Sequence, residues 1–268
     1  MTAEFLFAGG SKLEYRRVAG QAEASGAPTL VLLHEGLGCV GLWKEFPERL
    51  ARATGLGVFL WSRAGFGRSD PITLPRPLDH LEMEAELIPE VLRAAGIRRA
   101  VLIGHSDGGT LALLYAASGR ADGLAGVVTM AAHVFVEDVT IEGILETKRT
   151  WDEGRLRPPL ARWHGANVDI AFHGWCDTWL DPGFRNWNVV ARLPAIRAPV
   201  LVMQGADDEY GTAAQVQAIV RQVSGPVESM LLPVAGHSPH IDQPEAVIAA
   251  ISRFVRECVK PDPPAAAR

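Results

Sequence analysis

The sequence predicts an α/β fold: a mostly parallel central sheet flanked by helices, with a small helical insertion. Short apolar runs rich in Val, Leu and Ile alternate with segments of helical spacing. One of those runs passes directly into a helix through Gly104-His-Ser-Asp-Gly108. Candidate reactive residues follow the ends of the apolar runs, which is where open α/β sheets bind ligands.

In chain order, Thr29–His34 reads as a strand, Leu42–Ala53 as a helix, Gly57–Trp61 as a strand and Leu78–Ala95 as a helix. Ala100–Gly104 is the next strand, Thr110–Ala117 its helix, and Gly123–Ala131 another strand. After a long break come strand Pro199–Gly205, helix Thr212–Val223, strand Val227–Leu232 and helix Pro244–Val259. Apolar runs without polar alternation fit strands covered on both faces, and strand–helix–strand alternation fits parallel neighbours.

The break is too long for a plain connection and has weak strand character, so 134–187 is expected to form a helical cap on a core of 1–133 and 188–260. It holds Trp151, Trp163, Trp175, Trp179 and Trp187, five of the seven tryptophans. They would roof an apolar pocket or pack the cap onto the sheet. The proline-rich stretch 261–268 is expected to be a flexible tail.

At 268 residues, 48% hydrophobic and 21% charged, the chain can build a large core. Net charge is −5 with Lys and Arg scattered, so small-molecule chemistry is expected rather than binding to nucleic acid or membrane. No run approaches the roughly 18 apolar residues of a membrane span, and Met1–Ala8 lacks the basic start and apolar stretch of a secretory signal. A cytoplasmic monomer or homodimer is the expectation, with Cys39, Cys176 and Cys258 as reduced thiols.

The chemistry is read from Ser106. A strand entering a helix over so few residues strains the central residue, and only small neighbours such as Gly104 and Gly108 tolerate the crowding. The helix start leaves free N–H groups beside the hydroxyl. A serine hydroxyl needs a base, and the base needs an acceptor to fix its tautomer. Gly205-Ala-Asp-Asp-Glu209 places acids just past a buried strand, and Gly236-His237 lies in a late loop. No H-E-x-x-H or Cys/His cluster occurs, so no metal is expected, and no cofactor is expected because serine, base and acid chemistry needs none.

Four motifs in register carry a resemblance to the α/β-hydrolase superfamily, and to its serine esterase-like members: His34-Glu-Gly-Leu-Gly38, Gly104-His-Ser-Asp-Gly108, Gly205-Ala-Asp-Asp208, and Gly236-His-Ser-Pro-His240 with Gln243-Pro-Glu245. The resemblance implies Ser106 as nucleophile, His237 as base, and Asp208 rather than Asp207 as the acid. It implies an oxyanion hole from the amides of Asp107 and Gly36, with Leu37 the alternative to Gly36. Glu35 and Asp107 depart from the commoner pattern, and their carboxylates are expected to turn away from the oxyanion into structural hydrogen bonds. Arg63, in a turn resembling the one after the family's fourth strand, is expected to be a structural ion-pair residue.

The implied activity is hydrolysis of a carboxylic ester of a small apolar or aromatic substrate through an acyl-enzyme. Hydrolysis of a carbon–carbon bond in a ring-fission product, lactone or thioester cleavage, and ligand reception without turnover remain open. A serine at the elbow argues against relatives that place an aspartate there, the haloalkane dehalogenases and epoxide hydrolases.

Overall fold

A computed structural model describes residues 3–21 and 26–259, so the tail 261–268 lies outside the described residues. The strands are β1 (Glu4–Ala8), β2 (Ser11–Val18), β3 (Thr29–Leu33), β4 (Val58–Trp61), β5 (Ala100–His105), β6 (Leu124–Met130), β7 (Val200–Gly205) and β8 (Val227–Leu232). They form one eight-stranded sheet in the order β1-β2-β4-β3-β5-β6-β7-β8. β1 and β2 pair antiparallel, β2 pairs antiparallel with β4, and every other pairing is parallel.

The sheet is buried on both sides because alternate side chains of its central strands serve two cores. Leu30, Leu32, Val101, Ile103, Leu201 and Met203 meet Leu50 of α1 (Phe46–Thr54) and Ile251 and Phe254 of α9 (Pro244–Val259). Val31, Leu33, Leu102, Val200 and Val202 face the other way, toward α2 (His80–Ala94) and α3 (Asp107–Ala116). The two remaining helices of the framework are α7 (Ala213–Gln222), which opens on Thr212 accepting from the Ala214 amide, and the short α8 (Pro239–Asp242).

Three helices, α4 (Asp138–Asp152), α5 (Arg157–His164) and α6 (Val168–Trp179), lie between β6 and β7. The neck of this insertion is closed by an antiparallel bridge between Phe135 and Asn188, and by the Val189 amide donating to the Val134 carbonyl at 2.8 Å. Trp151 stacks on Phe172 with centroids 3.9 Å apart, and Trp187 stacks on Phe184 at 5.3 Å. Trp163 lies over Gly41, where a Cβ would strike its indole.

The structure departs from the expected elements in three places. Two N-terminal strands precede the first strand expected. The first helix starts at Phe46, with Pro47 in its first turn, whereas Val40–Trp43 is a separate 3-10 turn. The helix after β5 starts at Asp107 rather than Thr110, because no loop residue other than Ser106 separates strand from helix. No helix among the described residues is long and apolar enough to cross a membrane.

Candidate active site

Ser106 takes φ +50° and ψ −119°, a left-handed conformation costly for any residue with a Cβ. The flanking glycines are what permit it. A Cβ on Gly104 would overlap the carbonyl of Gly108, and a Cβ on Gly108 would overlap the carbonyl of Leu33. The elbow is thus backbone against backbone, anchored by the Ser106 amide donating to the Met130 carbonyl at 2.8 Å.

The loops after β7 and β8 bring the remaining partners to the hydroxyl. His237 Nε2 lies 2.9 Å from Ser106 Oγ, and His237 Nδ1 lies 2.8 Å from Asp208 Oδ1. A carboxylate only accepts, so Nδ1 carries the hydrogen and Nε2 offers its lone pair to the serine O–H. Asp208 Oδ1 also accepts from the Tyr210 and Gly211 amides at 2.9 and 3.2 Å. Burial pushes the Asp208 carboxyl up, but His237 and the Tyr210 amide outweigh it and hold it below the ordinary carboxylate range. Asp207 is exposed on the same turn. The histidine loop is held from behind by Glu209, which accepts from the His237 amide at 3.1 Å.

Gly36, Leu37 and Asp107 line one cavity of about 240 Å³ together with Ser106 and His237. Asp107 opens α3, so its amide has no carbonyl one turn earlier in the helix to bond. Gly36 is glycine because the indole of Trp175, reaching down from α6, occupies the space a Cβ would need. The inserted helices therefore press on the loop that follows β3.

The two unexpected carboxylates sit differently. Glu35 Oε2 is 3.5 Å from Nδ1 of the buried His105, and Gly38 is glycine because that carboxylate fills the position of a Cβ. Burial works against both charges, yet their attraction prevails, holding Glu35 well below the usual range and raising His105. Asp107 Oδ2 is 3.8 Å from Arg63 Nη2, while its Oδ1 has no partner among the described residues and the residue lines the cavity. In place of the expected structural hydrogen bonds, both carboxylates make ion pairs, Glu35 with His105 and Asp107 with Arg63. Arg63 makes a buried ion pair with Glu84 at 2.5 Å, donates to the Glu35 carbonyl at 2.8 Å, and so braces the same loop.

Sequence reasoning gave no site role to several cavity residues, among them His133, Ile144 and Tyr210, and placed Glu209 only within the acidic turn after β7. Of the five tryptophans in the insertion, Trp175 and Trp179 line the cavity and the others pack elsewhere. The remaining histidines other than His105 and His133 serve packing and hydrogen bonding: His240 lies against Trp43 and Phe46, and His34 accepts from the Arg63 amide at 3.1 Å. Among the described residues no cluster of His, Cys, Asp or Glu has the arrangement of a metal site. Burial pushes the thiols of Cys39 and Cys176 up to about 12.

A serine on a strand–elbow–helix turn, hydrogen-bonded through a histidine to an aspartate on the loops after β7 and β8, is the arrangement characteristic of the α/β-hydrolase class. Residues 30–250 match the alpha/beta hydrolase family, and the chain belongs to it. It is 36% identical to the proline iminopeptidase of Levilactobacillus brevis over 282 aligned positions, covering 90% of this chain and 92% of that one. It is 28% identical to the human serine hydrolase BPHL over 194 positions, covering 69% of this chain and 64% of the human protein's length. The esterase EaEST from Exiguobacterium antarcticum superposes with a TM-score of 0.75 over 95% of this chain and 100% of that one; at 20% identity, this likeness speaks for the fold.

Proposed function

We propose that the protein hydrolyses a carboxylic ester of a small molecule through an acyl-enzyme on Ser106, with residues 134–187 acting as a cap over the site. The single observation carrying this reading is the unbroken hydrogen-bonded line from Ser106 Oγ through both nitrogens of His237 to Asp208, opening into a cavity. Ser106 Oγ attacks the ester carbon while His237 Nε2 takes its proton, and Asp208 stabilises the imidazolium. The negative oxygen that forms is held by the amides of Asp107 and of Gly36, with Leu37 the alternative. Collapse of the tetrahedral species expels the alcohol, protonated from Nε2, and leaves the acyl group on Ser106. Water then attacks the acyl carbon, giving its proton to Nε2, and the carboxylic acid departs as Oγ is reprotonated.

The test is hydrolysis of a panel of short aryl esters, a lactone, a thioester, an aminoacyl amide and a dienone ring-fission product, with wild type and Ser106→Ala. Ester turnover that falls by about 10⁴–10⁶ in the variant supports the reading, as does labelling of Ser106 by a fluorophosphonate. Turnover of the dienone or the amide alone, or near-normal ester cleavage by Ser106→Ala, overturns it.

A further inference from the structure

We propose that His133 and Trp179 form a polar recognition subsite beside Ser106, and that the ester accepted here carries a free hydroxyl group; this rests on the ester-hydrolase reading above. Both residues line the cavity that contains Ser106, and they are only 3% and 2% exposed. Their rings meet edge to face with centroids 5.4 Å apart, and the His133 ring lies 5.7 Å from that of His237. The subsite is thus next to the reacting centre.

The hydrogen-bonding sense of each group follows from its neighbours. His133 Nε2 lies 3.1 Å from the carbonyl oxygen of Tyr210, which also takes the hydroxyl hydrogen of Thr140 at 2.6 Å. A carbonyl only accepts, so Nε2 bears the hydrogen. Burial, reinforced by the neighbouring His237, lowers the proton affinity of this imidazole, so the ring is neutral and Nδ1 is a bare lone pair. Nδ1 has no partner among the described residues, and neither has the indole N–H of Trp179.

Buried polar atoms are nearly always paired, and an orphan acceptor beside an orphan donor is a cost that packing alone does not offset. A hydroxyl has the hydrogen-bonding capacity both groups lack, since it can accept from the indole N–H and donate to Nδ1. A hydrocarbon substrate leaves both unsatisfied. A carboxylate on the substrate has no hydrogen to give the Nδ1 lone pair, and it would share the cavity with the unpartnered Oδ1 of Asp107. An ammonium group offers the indole N–H nothing to bond.

Matched substrates test the subsite: 4-nitrophenyl butanoate against its 2-hydroxy, 3-hydroxy and 3-amino derivatives, and ethyl against 2-hydroxyethyl butanoate. Wild type is expected to favour at least one hydroxylated ester over its deoxy partner by about tenfold or more in kcat/KM. Trp179→Phe, which removes the N–H and keeps a ring, should bring that ratio down to within about threefold. His133→Phe provides the second variant, and fluorophosphonate labelling of Ser106 identifies which variants have folded. A wild-type ratio near one throughout, a preference for the amino ester, or a hydroxyl preference that survives both substitutions overturns the subsite while leaving the ester-hydrolase reading in place. Failure to cleave any ester, with Ser106 unlabelled, overturns both.

Discussion

Nε2 of His105 donates to the carbonyl oxygen of His237 at 2.7 Å. The residue immediately before the serine therefore fixes the backbone of the histidine that serves it, across 132 positions of sequence. The other nitrogen of the same ring faces the Glu35 carboxylate. One imidazole thus ties the loop after β3, the elbow and the histidine loop together, and its removal should loosen the alignment rather than the substrate pocket.

His105→Ala is expected to lower kcat by about 10- to 100-fold with a much smaller change in KM, because misplacement of a reacting group falls on the chemical step. Steady-state kinetics on the best ester of the panel measures the split. A change confined to KM would show that His105 does not position the base.

Glu35→Gln should destabilise the fold in a pH-dependent way. The depressed Glu35 contributes stability above the ordinary carboxylate value of about 4.3, lost as pH falls toward its folded value; the raised His105 contributes fully below about 6.5, lost as pH rises through its folded value. The pair therefore helps most between these limits. The melting temperature of Glu35→Gln should trail wild type more at pH 5.5 than at pH 9, and an equal deficit at both would contradict the pairing.

Asp208→Asn is expected to lower kcat by about 10⁴ while leaving the structure intact, since an amide can present its N–H to Nδ1 and favour the wrong tautomer of His237. Asp207→Asn, on the exposed side of the same turn, should change kcat by less than about twofold. Parallel kinetics on the two variants decides between the neighbouring aspartates.

His80 has no partner on either ring nitrogen among the described residues, and its pKa is lowered by burial, and by Arg76 and Arg63, to about 2. The unfolded chain takes up this proton near pH 6.5 and the native chain does not, so stability is lost as pH falls below that value, by about 1.4 kcal/mol per pH unit. Denaturant unfolding between pH 7 and pH 5 should show a shallower acid slope for His80→Leu, by about one proton. An unchanged slope would mean that the native protein protonates His80 there.

Much of the site is legible in sequence because it depends on backbone crowding and strand order. Gly104 and Gly108 reveal the elbow since no side chain fits between β5 and α3, and Asp208 and His237 follow β7 and β8 in the chain as they do in space. Asp208 is distinguishable from Asp207 only through the Gly-x-x-Asp spacing, which the side chain's bond to His237 matches. His133 and Tyr210 escape such reading, and Trp179 is legible only as one of five tryptophans that could roof a pocket, because what they touch depends on how α4 and α6 settle above the sheet. β2 escapes it for another reason: its charged and apolar residues mix, as in Ser11-Lys-Leu-Glu-Tyr-Arg-Arg-Val18, without a buried run, and β1 beside it at the sheet edge is only five residues long. Leu42 and Trp43 share apolar spacing with α1 yet belong to the 3-10 turn before it, since spacing does not reveal where the backbone changes pitch.

Both ends of the helical insertion leave through one gap, after β6 and before β7, strands that already hydrogen-bond to each other. Lengthening, shortening or exchanging that stretch asks nothing of the ladder beneath it. What the cavity admits can therefore change with that stretch while the line from Ser106 through His237 to Asp208 stays where it is.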